Sequence, residues 1–162
     1  MKKITSIFLV AIVSLLIVSC GQKEAVDTAD APAAVKDALE NAYQLSKELT
    51  DLQLQAGADK NLDEAEIAEI GESFRYLAIV NNINARDYAS DKYFIALKKE
   101  YKDSFDALAD TVIFLKDCEG YDQLGLAIQQ ISLEVRDVAE LPVMEEPEPE
   151  VVDTLAAEPI EE

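Results

Sequence analysis

The chain has 162 residues, 33 of them acidic and 14 basic, with no histidine and no tryptophan, for a formal net charge of −19. All 33 acids but only 12 of the bases follow residue 20, so the chain beyond that point carries 21 net negative charges. This argues against a nucleic-acid partner, because phosphate contacts need clustered Lys and Arg. The lack of histidine rules out a Ser/His/Asp or Cys/His nucleophile system and any His-ligated metal or haem.

The first element is an address. Lys2 and Lys3 precede an apolar run, Ile7 to Val18, interrupted only by Ser14. The run is too short for a permanent membrane span and has the length of the apolar region of a secretory signal. It closes on Ile17-Val18-Ser19-Cys20. Basic start, apolar run, small residue and Cys together resemble the lipobox signal of bacterial lipoproteins, over residues 1–20. The resemblance implies that residues 1–19 are removed and that Cys20 receives a diacylglyceryl group on its thiol, usually with a third acyl chain on its new amino terminus. One acyl chain holds a protein to a membrane only marginally, whereas two or more hold it stably, at about 0.8 kcal/mol per buried CH₂. Gly21 stands where, in enterobacterial-type sorting, an Asp retains lipoproteins at the inner membrane, which implies delivery to the outer membrane. Gln22-Lys23-Glu24 is similar to the surface-export signal of Bacteroidota lipoproteins, departing from it at Ala25, where another acid is usual. Both the periplasmic and the surface-exposed face stay open as locations.

Residues 20–31 read as a lipidated tether, small and polar, with Asp30 as a helix cap just before Pro32. The first helix then carries Ala38, Ala42, Leu45, Leu49 and Leu52 at intervals of 4, 3, 4 and 3, a heptad-like seam, and ends before Gly57. Asn61 and Glu64 have capping-box spacing at the start of a second helix, with Ile67, Ile70, Phe74 and Leu77 as its seam. Gly71 lies inside that helix at a cost of about 1 kcal/mol against Ala, which points to a close helix contact. Asn81, Asn82 and Asn84 are expected to end or loosen this helix. A third begins between Asn84 and Ser90 and runs to Cys118, with Phe94, Leu97, Tyr101, Phe105, Leu108, Val112 and Leu115 inward and Gly120 as a C-terminal cap. A fourth, Tyr121 to Glu140, carries Leu124, Ile128, Ile131, Val135 and Val138 and is stopped by Pro142.

The expectation is therefore an all-α fold, an antiparallel four-helix bundle over residues 32–141, with both ends at one pole. Residues 142–162 hold eight acids, four of the five prolines and no base. Such a segment buries too little apolar surface to offset its ordering entropy, and it reads as a disordered acidic tail. Within it Val151, Val152 and Leu155 are candidate apolar anchors for a partner.

Cys118 is the only cysteine besides Cys20 and reads as a small buried residue at a helix end. The flanking Asp117 and Glu119 disfavour a reactive thiolate. Asp59-Lys60-Asn61-Leu62-Asp63 opens like a calcium loop, but Glu64 and Ile70 stand where the loop needs Gly and a bidentate Glu, so it is rejected. Asp103, Asp106, Asp110 and Asp117 form one acidic helix face, partly neutralised by Lys99 and Lys102 four residues before the first two. No phosphate loop, Gly-x-Ser-x-Gly or Cys-x-x-Cys occurs. Tyr88 and Tyr93 are the tyrosines expected to be exposed for binding. The sequence thus reads as a non-enzymatic, membrane-anchored lipoprotein of the cell envelope, using no cofactor or metal. It is held to the membrane through acyl chains on Cys20 and binds a protein partner. The alternative is a small-ligand or cation carrier with a pocket between helices. Seams of this kind close equally well within one chain or between two, so the oligomeric state stays open.

Overall fold

The structure, a computed structural model, describes residues 26–138 and 140. It has four α-helices: α1 (Ala33–Ala56), α2 (Glu64–Tyr88), α3 (Lys92–Thr111) and α4 (Tyr121–Glu134), with short 3-10 helices at Thr28–Asp30, Gly57–Asp59 and Ile113–Asp117. Among the described residues there is no strand, only an isolated parallel bridge between Asn61 and Glu119. The all-α class follows from the seams.

The helix ends differ from the expected ones in ways that hydrogen bonding explains. Asp30 does not cap α1; it lies in the 3-10 helix that Asp27 caps by accepting from the Ala29 N–H at 3.0 Å. Ala31 is already buried in the core, and the Thr28 hydroxyl donates to Glu100 at 2.8 Å. Packing therefore begins inside the segment read as tether. The capping box at α2 belongs to Asp63 and Glu66, each accepting from the other's backbone N–H at 2.9 Å, two residues after the expected pair. The Asn61 N–H instead turns back to Asp59 at 2.9 Å.

The asparagines do not end α2, which runs on to Tyr88. Asn82 donates to the carbonyls of Val135 and Val138 at 2.7 and 3.1 Å, and Asn84 to that of Ala38 at 3.1 Å. Amides spent on neighbouring segments do not compete with their own helix backbone, which is how Asn normally breaks helices. α3 starts at Asp91, whose carboxylate takes the N–H groups of Tyr93 and Phe94 at 2.8 and 2.9 Å. It stops at Thr111, seven residues before Cys118. α4 ends at Glu134, six short of expectation, because the chain turns to bury Val135 and hand its carbonyl to Asn82.

The bundle is not assembled as consecutive antiparallel neighbours throughout. α1 packs on α2 and on α3, and α2 packs on α4. Asn84, late in α2, meets Ala38, early in α1, so that pair is antiparallel. Along α3, Tyr101 reaches Glu40 and Tyr43, and further on Val112 shares a cluster with Leu49. α1 and α3 therefore run side by side in the same direction. So do α2 and α4: Ile131 lies against Gly71, Glu134 against Arg75, and Val138 against Asn82. The helices follow one another across the molecule as α3, α1, α2, α4. The α3–α4 connection is responsible. It passes the end of α1, where Phe114 and Leu115 pack on Gly57, and then joins the start of α2 through bonds of 2.9 Å from the Leu62 N–H to Glu119 and from the Glu119 N–H to Lys60.

Two clusters make the core. The larger joins Leu49 and Ala56 of α1 to Ile70, Phe74 and Leu77 of α2, Leu115, and Leu124 and Ile128 of α4. The smaller lies between α1 and α3, around Val35, Leu39, Phe94, Leu97 and Phe105, with Tyr43, Tyr88, Tyr93 and Tyr101 against it. α1 touches helices on two sides, so its buried positions (Val35, Leu39, Ala42, Leu49, Thr50, Gln53 and Ala56) form a broader stripe than the expected seam. Both ends of the described chain lie at one pole, since Asn84 holds Ala38 while Asn82 holds Val138.

Candidate interaction surface

Cys20, Val151, Val152 and Leu155 lie outside the described residues. Tyr88 and Tyr93 are half-buried rather than free. The Tyr88 ring stacks on Phe94 at 5.5 Å between centroids, and Tyr93 lies beneath the Lys92 ammonium at 4.8 Å. Both pack against the smaller core cluster between α1 and α3 and are only partly exposed. Cys118 is buried in the larger cluster, with its sulfur 3.9 Å from the Gly57 carbonyl. A thiol so enclosed behaves as a small apolar residue.

Between the helices the buried polar side chains are Thr50, Gln53 and Asn84; among the described residues no charged side chain is buried. Nor do those residues include a group of three or more acids or thiols placed to hold a metal ion. The ionisable groups with shifted pKa values lie at the surface. The Tyr101 hydroxyl donates to Glu40. This bond, with one from Gln44, holds the Glu40 carboxyl below its usual range and pushes the Tyr101 phenol up to about 12. Arg75 bridges from α2 to Glu134 of α4 at 2.7 Å; its hydrogen bond, with one from Gln130, lowers the Glu134 pKa. Lys98, half-buried beside Phe94, is pushed down by desolvation. The Glu40–Tyr101 and Arg75–Glu134 pairs fasten one helix to another.

The unexplained surface is on α4. Among the described residues the exposed large apolar side chains are Leu54, Tyr76, Ile113, Leu126, Leu133 and Val138; Leu126 and Leu133, at 67% and 65% exposure, are the most exposed, ahead of Ile113 at 57%. They are seven residues apart on one helix, hence on one face. Leu124, Ile128 and Val135 point into the core, and at 100° per residue the two leucines lie opposite them. α4 packs principally on α2 alone, which leaves that outward face open. Residues 123–133 form an eleven-residue run without a charge, in a chain that is 29% charged. Reading the seams alone misses this face. The signal was a pair of leucines off the α4 seam at heptad spacing inside an uncharged run.

No protein-family model, curated protein or solved structure matches the chain. Among the described residues no helix is long and apolar enough to cross a membrane. The class that the fold defines is a small all-α helical bundle.

Proposed function

We propose that the protein is a lipid-anchored interaction module of the bacterial outer membrane. Cys20 is acylated and fixes the chain to the membrane, and the helical bundle presents a docking face to a protein partner. The observation that carries the docking half is the outward face of α4, where Leu126 and Leu133 are held largely in water. Solvated leucines forfeit roughly 1.5–3 kcal/mol each relative to full burial, and the two share one uncharged helix face on which a partner could bury both. The anchoring half is supported by Lys2, Lys3, the Ile7–Val18 run and Ser19-Cys20. Anchor and docking face are compatible: the described chain begins and ends at one pole, while α4 runs along the flank of the bundle.

Labelling with palmitate, comparing the wild-type chain with Cys20→Ala, tests the anchor: label and membrane retention are expected in the first and absent in the second. Pull-down from solubilised envelope tests the docking half, with Leu126→Asp/Leu133→Asp as the face variant and a chain ended at residue 141 to remove the tail anchors Val151, Val152 and Leu155. Equal recovery from all three chains would refute a docking role for α4 and for the tail.

A further inference from the structure

We infer that the acidic C-terminal segment, residues 142–162, seats on the basic flank of α3 in its own chain. The seating does not depend on the docking role of α4. Lys92, Lys98, Lys99 and Lys102 fall within eleven residues and make up a third of the 12 bases that follow residue 20. At 100° per residue the four occupy one third of the helix circumference, beside the stripe of Phe94, Leu97 and Phe105 that faces α1. Lys92, Lys99 and Lys102 are exposed and Lys98 is half-buried. Glu100, the one acid in the stretch, lies off this side and accepts from the Thr28 hydroxyl at 2.8 Å. Among the described residues only Lys102 of the four is in an ion pair, with Asp106. The other acids of α3 follow later, at Asp103, Asp106 and Asp110. This polarity runs against the helix macrodipole, which favours anions at the N-terminus and cations at the C-terminus. Lys92 stands in the first turn and Asp110 in the last, so both weaken the helix taken alone. An anion laid along the basic half offsets the first of these.

The chain itself supplies that anion. Residues 142–162 hold eight acids and no base, and the described chain leaves the bundle beside the start of α3. Asn82 holds the Val138 carbonyl at 3.1 Å, and the Glu140 carboxylate acts on Arg86, adding to the stronger pull of Asp87. Two residues after Arg86, Tyr88 closes α2 and stacks on Phe94 of α3 at 5.5 Å. The reach fits as well. Glu145, Glu146, Glu148 and Glu150 follow Glu140 by five to ten residues, at most roughly 16–33 Å at about 3.3 Å per residue. Lys92 to Lys102 covers about 15 Å at 1.5 Å per residue. Repulsion narrows the choice of place. Residues 26–140 carry 24 acids against 11 bases, and no other eleven of them in a row hold four bases, so most of the surface repels the segment. Attachment to the same chain presents it to the flank at an effective concentration on the order of millimolar. A basic partner that takes Val151, Val152 and Leu155 must then compete with α3 for the acids around them.

The test is carbodiimide cross-linking, which joins a carboxylate to a lysine amine with loss of water, on the full chain purified from its envelope in detergent. It is run at about 0.1 M and about 1 M salt, where the screening length falls from about 10 Å to about 3 Å. Trypsin leaves residues 137–162 as one peptide, because no base follows Arg136, so mass spectrometry reads which lysine each tail acid has joined. Lys47, Lys60 and Lys116, exposed elsewhere on the bundle, are the comparison. In the monomer band at low salt, cross-links from the acids of residues 145–162 to the four α3 lysines should exceed those to the comparison lysines by about fivefold or more. High salt should remove most of that preference. Lys92→Glu/Lys99→Glu changes two exposed positions and leaves Lys98 and Lys102 as reporters. Their cross-links should fall severalfold while the far-UV circular dichroism stays unchanged. The salt comparison needs no variant and decides the case if the double substitution unfolds the chain. An even spread over all lysines, a preference that salt does not touch, cross-links confined to a band of twice the monomer mass, or no cross-link overturns the proposal.

Discussion

Gly120→Ala probes the joint that sends α4 along α2. Gly120 sits at φ +82°, and a Cβ built there would lie 2.3 Å from the Leu62 carbonyl oxygen and 3.1 Å from the Leu62 Cβ. Two costs follow. A left-handed conformation costs a non-glycine residue about 1–2 kcal/mol. The clash is with backbone, so a side-chain rotation cannot relieve it; residues 60–62 must separate from 119. That breaks the bonds from the Leu62 N–H to Glu119 and from the Glu119 N–H to Lys60, both 2.9 Å, each contributing about 0.5–1.5 kcal/mol net. Together the loss is about 2–5 kcal/mol, a large share of the roughly 5–15 kcal/mol available to a domain of this kind. At roughly 4–5 °C per kcal/mol for a domain near 100 residues, Tm should fall by roughly 8–25 °C. Urea and thermal unfolding followed by far-UV circular dichroism, on a soluble chain beginning at Gly21, would measure it. Gly125→Ala is the internal control: it lies inside α4 with open space around it and should stabilise by up to about 1 kcal/mol. A loss under about 1 kcal/mol for Gly120→Ala would refute the claim that the bridge to residue 119 fixes α4.

Gly57→Ala should cost about 1–3 kcal/mol, the usual range for overpacking, because its Cβ would meet Leu115 and Phe114 at 2.5 and 2.8 Å. Gly71→Ala should be near neutral by the same unfolding measurement: the helix-propensity gain of about 1 kcal/mol opposes a 3.0 Å contact with the Ile131 tip, whereas Gly71→Leu should destabilise clearly. Asn84→Ala, at 7% exposure, removes the amide's bond to the Ala38 carbonyl, which keeps its bond within α1, and should cost about 0.5–1.5 kcal/mol. Asn82→Ala should chiefly speed amide hydrogen exchange around residues 135–138 while the rest of the bundle keeps its protection. For the Glu40–Tyr101 pair the sign runs both ways. Glu40 is lowered in the fold, so its contribution is present above the unfolded Glu value and is lost as pH falls through the folded one. Tyr101 is raised, so its contribution is present below the usual value near 10 and is lost as pH rises through about 12. Ultraviolet titration of the tyrosines should show one late ionisation near 12 that Glu40→Gln moves back toward 10; a single step with no late component would contradict it.

The elements were legible because each helix carries a repeating apolar stripe, and stripes survive whatever the helices pack against. Ile70, Phe74, Leu77, Leu124 and Ile128 were expected inside and are buried. The ends were less legible, because they depend on which side chain wins a backbone group. Asp63 captures Glu66 where Asn61 and Glu64 had the right spacing, and Asn82 captures two carbonyls fifty residues away that local spacing cannot reveal. The order of the helices was not legible. Short loops suggest antiparallel neighbours, yet the Val112–Gly120 connection spends its length packing Phe114 and Leu115 on Gly57, and that excursion carries α4 to α2.

The same excursion explains why the outward face of α4 is open. In a closed ring of four, each helix has two neighbours, and a two-sided helix needs apolar residues on two stripes. α4 has two such stripes: Leu124, Ile128 and Val135 on one, Leu126 and Leu133 on the other. It finds its principal neighbour for the first stripe in α2. α3, the helix that short loops would have placed beside it, packs on α1 instead. The second stripe is thus suited to a helix this chain does not supply at that flank.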